Sequence, residues 1–252
     1  MIFKAKGQEI EVNLADKAAL LTAVGQRFDD NDGFALATIN LDHLVKLRCS
    51  EPFARDYAAQ DFVVADGNPV VWLSKLAKHP VGLVPGSDMV VPLARLAAEK
   101  GVKVALFGST EESLVASAAM LKQSVPELEI ATCIAPTMGF DPIGSGAKAM
   151  LKDLATSGAG LVFLALGAPK QEAFAALGRE ITPTLGFASI GAGLDFVSGA
   201  QTRAPKWVRA LAMEWAWRMF KSPARLLPRY AQCFAILPSL VLDAWRMRTS
   251  QK

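Results

Sequence analysis

Short, unbroken apolar segments alternate with helix-length stretches over most of this chain. Phe34 to Ile39, Phe62 to Ala65, Val102 to Phe107, Leu128 to Cys133, Leu161 to Leu166 and Leu185 to Ile190 are four to six residues long, bounded by Gly, Asp, Asn or Pro. Strands with one wet face alternate apolar and polar residues. Continuous apolar runs with β-branched and aromatic side chains are instead buried on both faces. Between them, Asp88 to Lys100, Thr110 to Gln123, Lys148 to Thr156 and Pro169 to Arg179 read as helices. This alternation predicts an α/β fold: a Rossmann-like parallel sheet with helices on both faces.

In such sheets ligands sit beyond the carboxyl ends of the strands, where helix N-termini favour phosphate. The positions that matter are therefore Asn40, Asp66 with Gly67, Gly108 to Thr110, Gly167 to Gln171, and Gly191 to Asp195. Ser109 with Glu112 has capping-box spacing. Pro169 is expected at the first position of its helix.

The tail differs from the body. From Arg203 onward there are ten Lys/Arg against two Asp/Glu, net +8; residues 1–202 carry 17 against 22, net −5, and together these make the chain's +3. Ala204 to Lys221 reads as an amphipathic helix broken at Ser222–Pro223, followed by a basic stretch, Arg225 to Tyr230, and an apolar run to Trp245. The division expected is 1–202 as catalytic α/β domain and 203–252 as a basic helical appendage. The longest uncharged late run, Ala231 to Leu242, has 12 residues and contains Pro238, too short to span a bilayer. Without an apolar segment near its start, the chain reads as lacking a signal peptide. Cys49, Cys133 and Cys233 are odd in number and lack CxxC spacing, which points to a reducing cytoplasm rather than a disulfide framework or zinc site.

Several familiar signatures are missing. Gly191-Ala192-Gly193 begins like GxGxxG, but Phe196 stands in place of the third glycine and no acidic residue follows at ribose distance. Gly139 to Ser145 has the opening spacing of a phosphate-binding loop, but Ser145 replaces its lysine. His43 and His79 are the only histidines, neither in a metal-binding pattern, and both read as structural or surface residues.

Four polar side chains carry alternative readings. Asp66, directly after Phe62-Val-Val-Ala65, is either a general base raised toward neutrality by desolvation or a helix cap. Asn40 either bonds a sugar hydroxyl or caps the helix that follows. Gln171 is a poor cap residue and leans toward ligand contact. Asp195 either accepts bonds from a base or ribose, or ties its own loop.

Taken in order, Ala65-Asp66-Gly67, Pro85-Gly86-Ser87-Asp88, Leu166-Gly167-Ala168-Pro169-Lys170-Gln171-Glu172, Gly191-Ala-Gly-Leu-Asp-Phe196, Arg203-Ala204-Pro205 and Glu214-Trp215 make the chain resemble the WecG/TagA/CpsF glycosyltransferases, family 26, from about Phe34 to Tyr230. The resemblance implies sugar transfer from a UDP-sugar to an undecaprenyl-diphosphate-linked saccharide, with inversion, without metal or other cofactor, in cell-surface polysaccharide synthesis. It implies Asp66 as base, Asn40 and Gln171 as substrate contacts, and Asp195 facing the nucleotide. Arg218, Arg225 and Arg229 of the appendage match arginines that reach the donor diphosphate, and the glycine turns at Gly108, Gly139 and Gly191 are further candidate contacts. The partners implied are the UDP-sugar, the lipid-linked acceptor and the cytoplasmic leaflet of the inner membrane, with peripheral attachment, no nucleic acid, and a homo-oligomer compatible with all of this.

Two positions depart from the family pattern. Leu83 stands where many members carry an arginine, and Pro228 precedes Arg229 where members often pair basic residues. A Rossmann-type oxidoreductase and a non-catalytic relative of the transferase are the alternative readings. The transferred sugar is left open among N-acetylmannosamine, its uronic acid, glucose and other hexoses.

Overall fold

A computed structural model describes residues 1–197, 199, 205, 208, 214–221 and 223–249. The sequence forms β1 (Ile2–Ala5), β2 (Gln8–Glu11), α1 (Lys17–Asp29), β3 (Phe34–Ile39), α2 (Leu41–Cys49), α3 (Glu51–Ala58), β4 (Phe62–Ala65), α4 (Asn68–Leu76), α5 (Gly86–Glu99), β5 (Lys103–Gly108), α6 (Glu111–Ser124), β6 (Ile130–Ile134), α7 (Ser145–Thr156), β7 (Ala159–Ala165), α8 (Lys170–Ile181), β8 (Gly186–Ser189), α9 (Gly193–Val197), α10 (Glu214–Lys221) and α11 (Pro223–Thr249). Six strands form one sheet in the order β4-β3-β8-β7-β5-β6, every neighbouring pair parallel.

Side chains of β3 alternate between the two faces. Phe34 and Leu36 join Val64, Leu106, Phe163 and Ala188 against α1, α5, α6 and α9. On the opposite face Ala35 packs with Phe107, Val162, Leu164 and Phe187 under α7 and α8. Ala37 and Ile39 pack with Val63 and Ala65 under α2, α3 and α4, joined by Leu240 and Ala244 of α11. All six residues of β3 are buried, as a central parallel strand requires. The expected Rossmann-like architecture with a helical appendage is what the chain adopts.

The local details differ in three places. The N-cap of α6 is Thr110, whose side chain accepts from Ser113 N–H; Ser109 lies before it with φ of +53°, so the Ser109–Glu112 capping box does not form. Pro169 is the N-cap of α8 rather than its first helical residue. The N-terminus is an antiparallel β1–β2 hairpin turning at Lys6 and Gly7, both with positive φ. It seals one edge of the core with Met1, Phe3 and Ile10.

In the tail, the stretches read separately as basic and apolar form one 27-residue helix, α11, which continues through Pro228 and Pro238. Most of the amphipathic segment before Glu214 lies outside the described residues, Trp207 included. No described helix is long and apolar enough to cross a membrane.

Candidate active site

The parallel register sets Ile39 of β3 beside Ala65 of β4. The residues that follow, Asn40 and Asp66, therefore emerge side by side at the carboxyl edge of the sheet. The Asp66 N–H donates to Ile39 O at 2.7 Å, an extension of the ladder that holds the half-buried carboxylate at the rim. Gly67 then turns the chain with φ of +133°, a conformation natural only to glycine. A Cβ on Gly67 would stand 3.8 Å from Asn40 Cβ.

Of the two readings of Asn40, the cap is the one the structure shows. Its side-chain oxygen caps α2 by accepting from His43 N–H at 3.1 Å. Among the described residues its amide nitrogen has no hydrogen-bond partner. Across the edge, Pro85 and Gly86 begin α5 against β3 and β8; a Cβ on Gly86 would meet Thr38 at 3.2 Å and Ile190 Cα at 3.3 Å. Leu83, half exposed, immediately precedes Val84, whose N–H donates to Ala65 O.

Gln171 is only 2% exposed. Its Oε1 accepts from Gly191 N–H at 3.1 Å and its Nε2 donates to Glu172 Oε1 at 2.9 Å. The amide is thus a bolt between the start of α8 and the turn after β8. Gly191 leads to the short helix carrying Asp195, whose side chain lies outside the described residues. Gly108, with φ of +110°, ends β5, and Ser109 N–H donates to Ala165 O. Gly139 has open space around it and approaches through its neighbour Phe140, whose carbonyl accepts from Lys170 Nζ at 2.7 Å. It takes part neither in the Asp66–Asn40 edge nor in the Gln171–Gly191 bond.

The appendage is tied to this edge. Arg229 on α11 grips Asp42 with two bonds, Nε to Oδ1 at 2.7 Å and Nη2 to Oδ2 at 2.8 Å. Lys46 also bonds Asp42, and its Nζ donates to Ala168 O in the turn before α8. Burial pushes Asp42 up, but the Lys46 bond and the charges of Arg229 and Lys46 outweigh it and hold the carboxyl below its usual range. Arg229 is therefore engaged by the body through a fork geometry suited to a carboxylate. The side chains of Arg218 and Arg225, carried on α10 and α11, lie outside the described residues.

A buried polar layer lies beneath the rim. His43 Nδ1 is 3.1 Å from Tyr57 Oη; burial pushes this histidine down to about 3, so it is neutral and structural, as read from the sequence. Tyr57 is raised, first by burial and then by the negative charges of Glu172 and Asp66. Glu172 is fully buried and pushed up to about 7, chiefly by burial. Sequence reading overlooked Asp42, Lys46, Tyr57 and Glu172. Only Glu172 had a visible signal, its adjacency to Gln171 at a helix start. A separate cavity of about 540 Å³ lies between β1, α2 and α11, lined by Phe3, Leu44, Leu47, Leu240 and Met247. It does not include the rim residues.

Comparison with known proteins agrees with this geometry. The model of the glycosyl transferase WecG/TagA/CpsF family matches residues 7–252. The chain is similar to an N-acetylglucosaminyldiphosphoundecaprenol N-acetyl-beta-D-mannosaminyltransferase of Bacillus spizizenii, 28% identical over 199 residues, covering 78% of this chain and 75% of that protein. It is also similar to a protein of the same description from Bacillus subtilis, 25% identical over 210 residues, covering 81% and 79%. With a match across nearly its whole length and a parallel sheet of this kind, the chain belongs to the WecG/TagA/CpsF family of glycosyl transferases.

Proposed function

We propose that this protein transfers a hexose or N-acetylhexosamine from a UDP-sugar to a saccharide on undecaprenyl diphosphate, with inversion and without a metal. The acceptor follows the names of both Bacillus relatives, which specify an N-acetylglucosaminyldiphosphoundecaprenol. The observation that carries the reading is Asp66, a half-buried carboxylate at the sheet edge beside Asn40. As base it takes the proton of an acceptor hydroxyl, whose oxygen attacks the anomeric carbon as the bond to UDP breaks. Arg218 and Arg225 are the appendage cations proposed to meet the charge growing on the diphosphate. Arg229 contributes by holding the appendage to α2 through Asp42.

The deciding experiment is a panel of UDP-sugars incubated with a synthetic polyprenyl-diphosphate N-acetylglucosamine, read by mass spectrometry. Transfer from one UDP-sugar, undiminished by a chelator and giving the inverted linkage, is expected. No product from any UDP-sugar refutes the donor class.

Membrane attachment through the appendage is part of the same proposal. On α11, Leu226, Cys233, Leu240 and Ala244 are buried, whereas Leu227, Phe234, Val241 and Trp245 are 45–59% exposed. Phe220 on α10 is 80% exposed. This outward apolar stripe, accompanied by the tail's basic residues, suits an anionic leaflet, where each cation contributes roughly 1 kcal/mol. Phe234→Glu is expected to lower partitioning onto anionic vesicles about tenfold or more, from the lost burial of one large apolar side chain. Equal vesicle flotation of parent and variant would remove this face from the interface.

A further inference from the structure

We propose that Glu172 is a positioning residue for the donor side of the site: its carboxylate orients the Gln171 amide so that the amide oxygen holds the Gly191 turn. The inference rests on the transferase reading only in naming the donor as the ligand of that turn.

Glu172 is an unexpected side chain for its place. It is fully buried within α8, and among the described residues its Oε2 has no hydrogen-bond partner. A buried carboxyl with an orphaned oxygen is a cost to folding that an apolar residue of similar size would avoid. Burial pushes the group up to about 7; the Gln171 bond and Lys46 draw it down, and Asp56 pushes it up. Its carboxylate Oε1 accepts the Nε2–H of Gln171 at 2.9 Å, and its own backbone N–H also favours the charged form. Nearby, Gln60 Nε2 donates to the backbone oxygen of Glu172 at 3.2 Å, which pins this part of α8 to the segment after α3.

The consequence lies at the other end of the amide. A glutamine amide presents a donor group and an acceptor that differ little in shape, and its orientation is set by its partners. With Glu172 Oε1 receiving Nε2–H, Gln171 Oε1 faces Gly191 N–H and accepts at 3.1 Å. A flipped amide would set two oxygens together at Glu172 and two N–H donors together at Gly191, losing both bonds. Gly191 has φ of +54° and begins the turn into the helix of Asp195. It follows β8, the strand between Asn40's strand and that of the Gly167 turn. Glu172 never reaches the ligand; it acts through Gln171 on the backbone of that turn.

The test uses full-length Glu172→Met, Glu172→Asp and Glu172→Gln. Met removes the acceptor at similar size. Asp keeps the charge but withdraws it by one methylene. Gln retains a carbonyl that accepts from Gln171. Hydrogen exchange of the Gly191 amide is expected to quicken about fivefold in the Met and Asp variants, the weight of one net hydrogen bond of about 1 kcal/mol, and to stay near parental in Gln. Core amides of β7 and β8 should remain protected in all three. The UDP dissociation constant should rise by a similar factor in Met and Asp and recover in Gln, with the donor KM moving more than kcat.

Unchanged Gly191 exchange in a folded Met or Asp variant overturns the proposal, as does a Gln variant as impaired as Met. The Asp variant keeps the question decidable if Met does not fold. Failure of the parent protein to bind UDP would count against the donor reading, while the exchange measurement would still decide the role of Glu172.

Discussion

Asp66→Asn is expected to lower turnover by about 10²–10⁴-fold, the usual loss on removing a general base. The substitution keeps side-chain size and does not touch the backbone bond from residue 66 to Ile39 O or the turn at Gly67. Folding should therefore be preserved, and thermal melting and circular dichroism of the variant should match the parent. What changes is basicity: an amide cannot take a proton from a sugar hydroxyl at neutral pH. The neighbouring carboxyl does not substitute for it. Glu172 is fully buried below the rim, whereas Asp66 stands half-buried at the edge. Two carboxyls in such different surroundings are suited to different tasks. The measurement is kcat with donor and acceptor both saturating. A folded Asp66→Asn protein that turns over like the parent would assign the base elsewhere and reopen the reading of the chain as a non-catalytic relative.

Gly108→Ala is expected to destabilise the protein by about 2–5 kcal/mol, combining the strain of a side chain at positive φ with overpacking. Residue 108 has φ of +110°, and a Cβ there would lie 2.6 Å from the carbonyl carbon and oxygen of Ala165. Those are backbone atoms of β7, paired with β5 at this register, so no rotamer change relieves the contact. The strands must part where Ser109 N–H donates to Ala165 O. The melting temperature should fall by roughly 10 °C. Because β7 runs into the Gly167 turn and α8, donor affinity should fall with it. An alanine variant melting with the parent would mean that β5 and β7 do not approach as closely as described.

The sheet was legible because most of its strands are apolar on both faces, a pattern that survives without knowledge of partners; the edge strand β6, read as buried, is only half-buried, with Cys133 exposed. The same logic located Asn40, Asp66, Gly108, Gln171 and Gly191, since strand ends in a parallel sheet fall on one edge whatever the strand order. The β1–β2 hairpin was not legible as such: Lys4, Glu9 and Glu11 face solvent, and its buried side chains are few and widely spaced. The tail's basic stretch and apolar run were read separately, yet they form one helix: Pro228 and Pro238 are exposed, and the packing of Leu226, Cys233, Leu240 and Ala244 carries α11 through both.

Contacts at the site were harder to read than positions. The Arg229–Asp42 pair joins residues 187 apart, and nothing local in either segment announces the other. Glu172 looks like an exposed helix-start residue from its neighbours. It is buried because α3 and the sheet enclose the first turns of α8, a property of tertiary packing and not of the Pro-Lys-Gln-Glu motif. Gln171 was expected to lean toward ligand; its amide oxygen bonds Gly191 and one of its N–H groups bonds Glu172.

The two apolar stripes of α11 have consequences for how this helix tolerates change. Leu226, Cys233 and Leu240 recur every seventh residue, and Leu227, Phe234 and Val241 do the same one position later. Seven residues fall only about 20° short of two full turns, so each stripe stays on its own side along the helix. A single inserted or deleted residue would rotate everything beyond it by about 100°: a deletion would turn the outward stripe onto the body, and an insertion would turn the inward stripe out to solvent. Whole heptads could be gained or lost with far less rotation, so the spacing of α11 is constrained in phase even where individual side chains are free to vary.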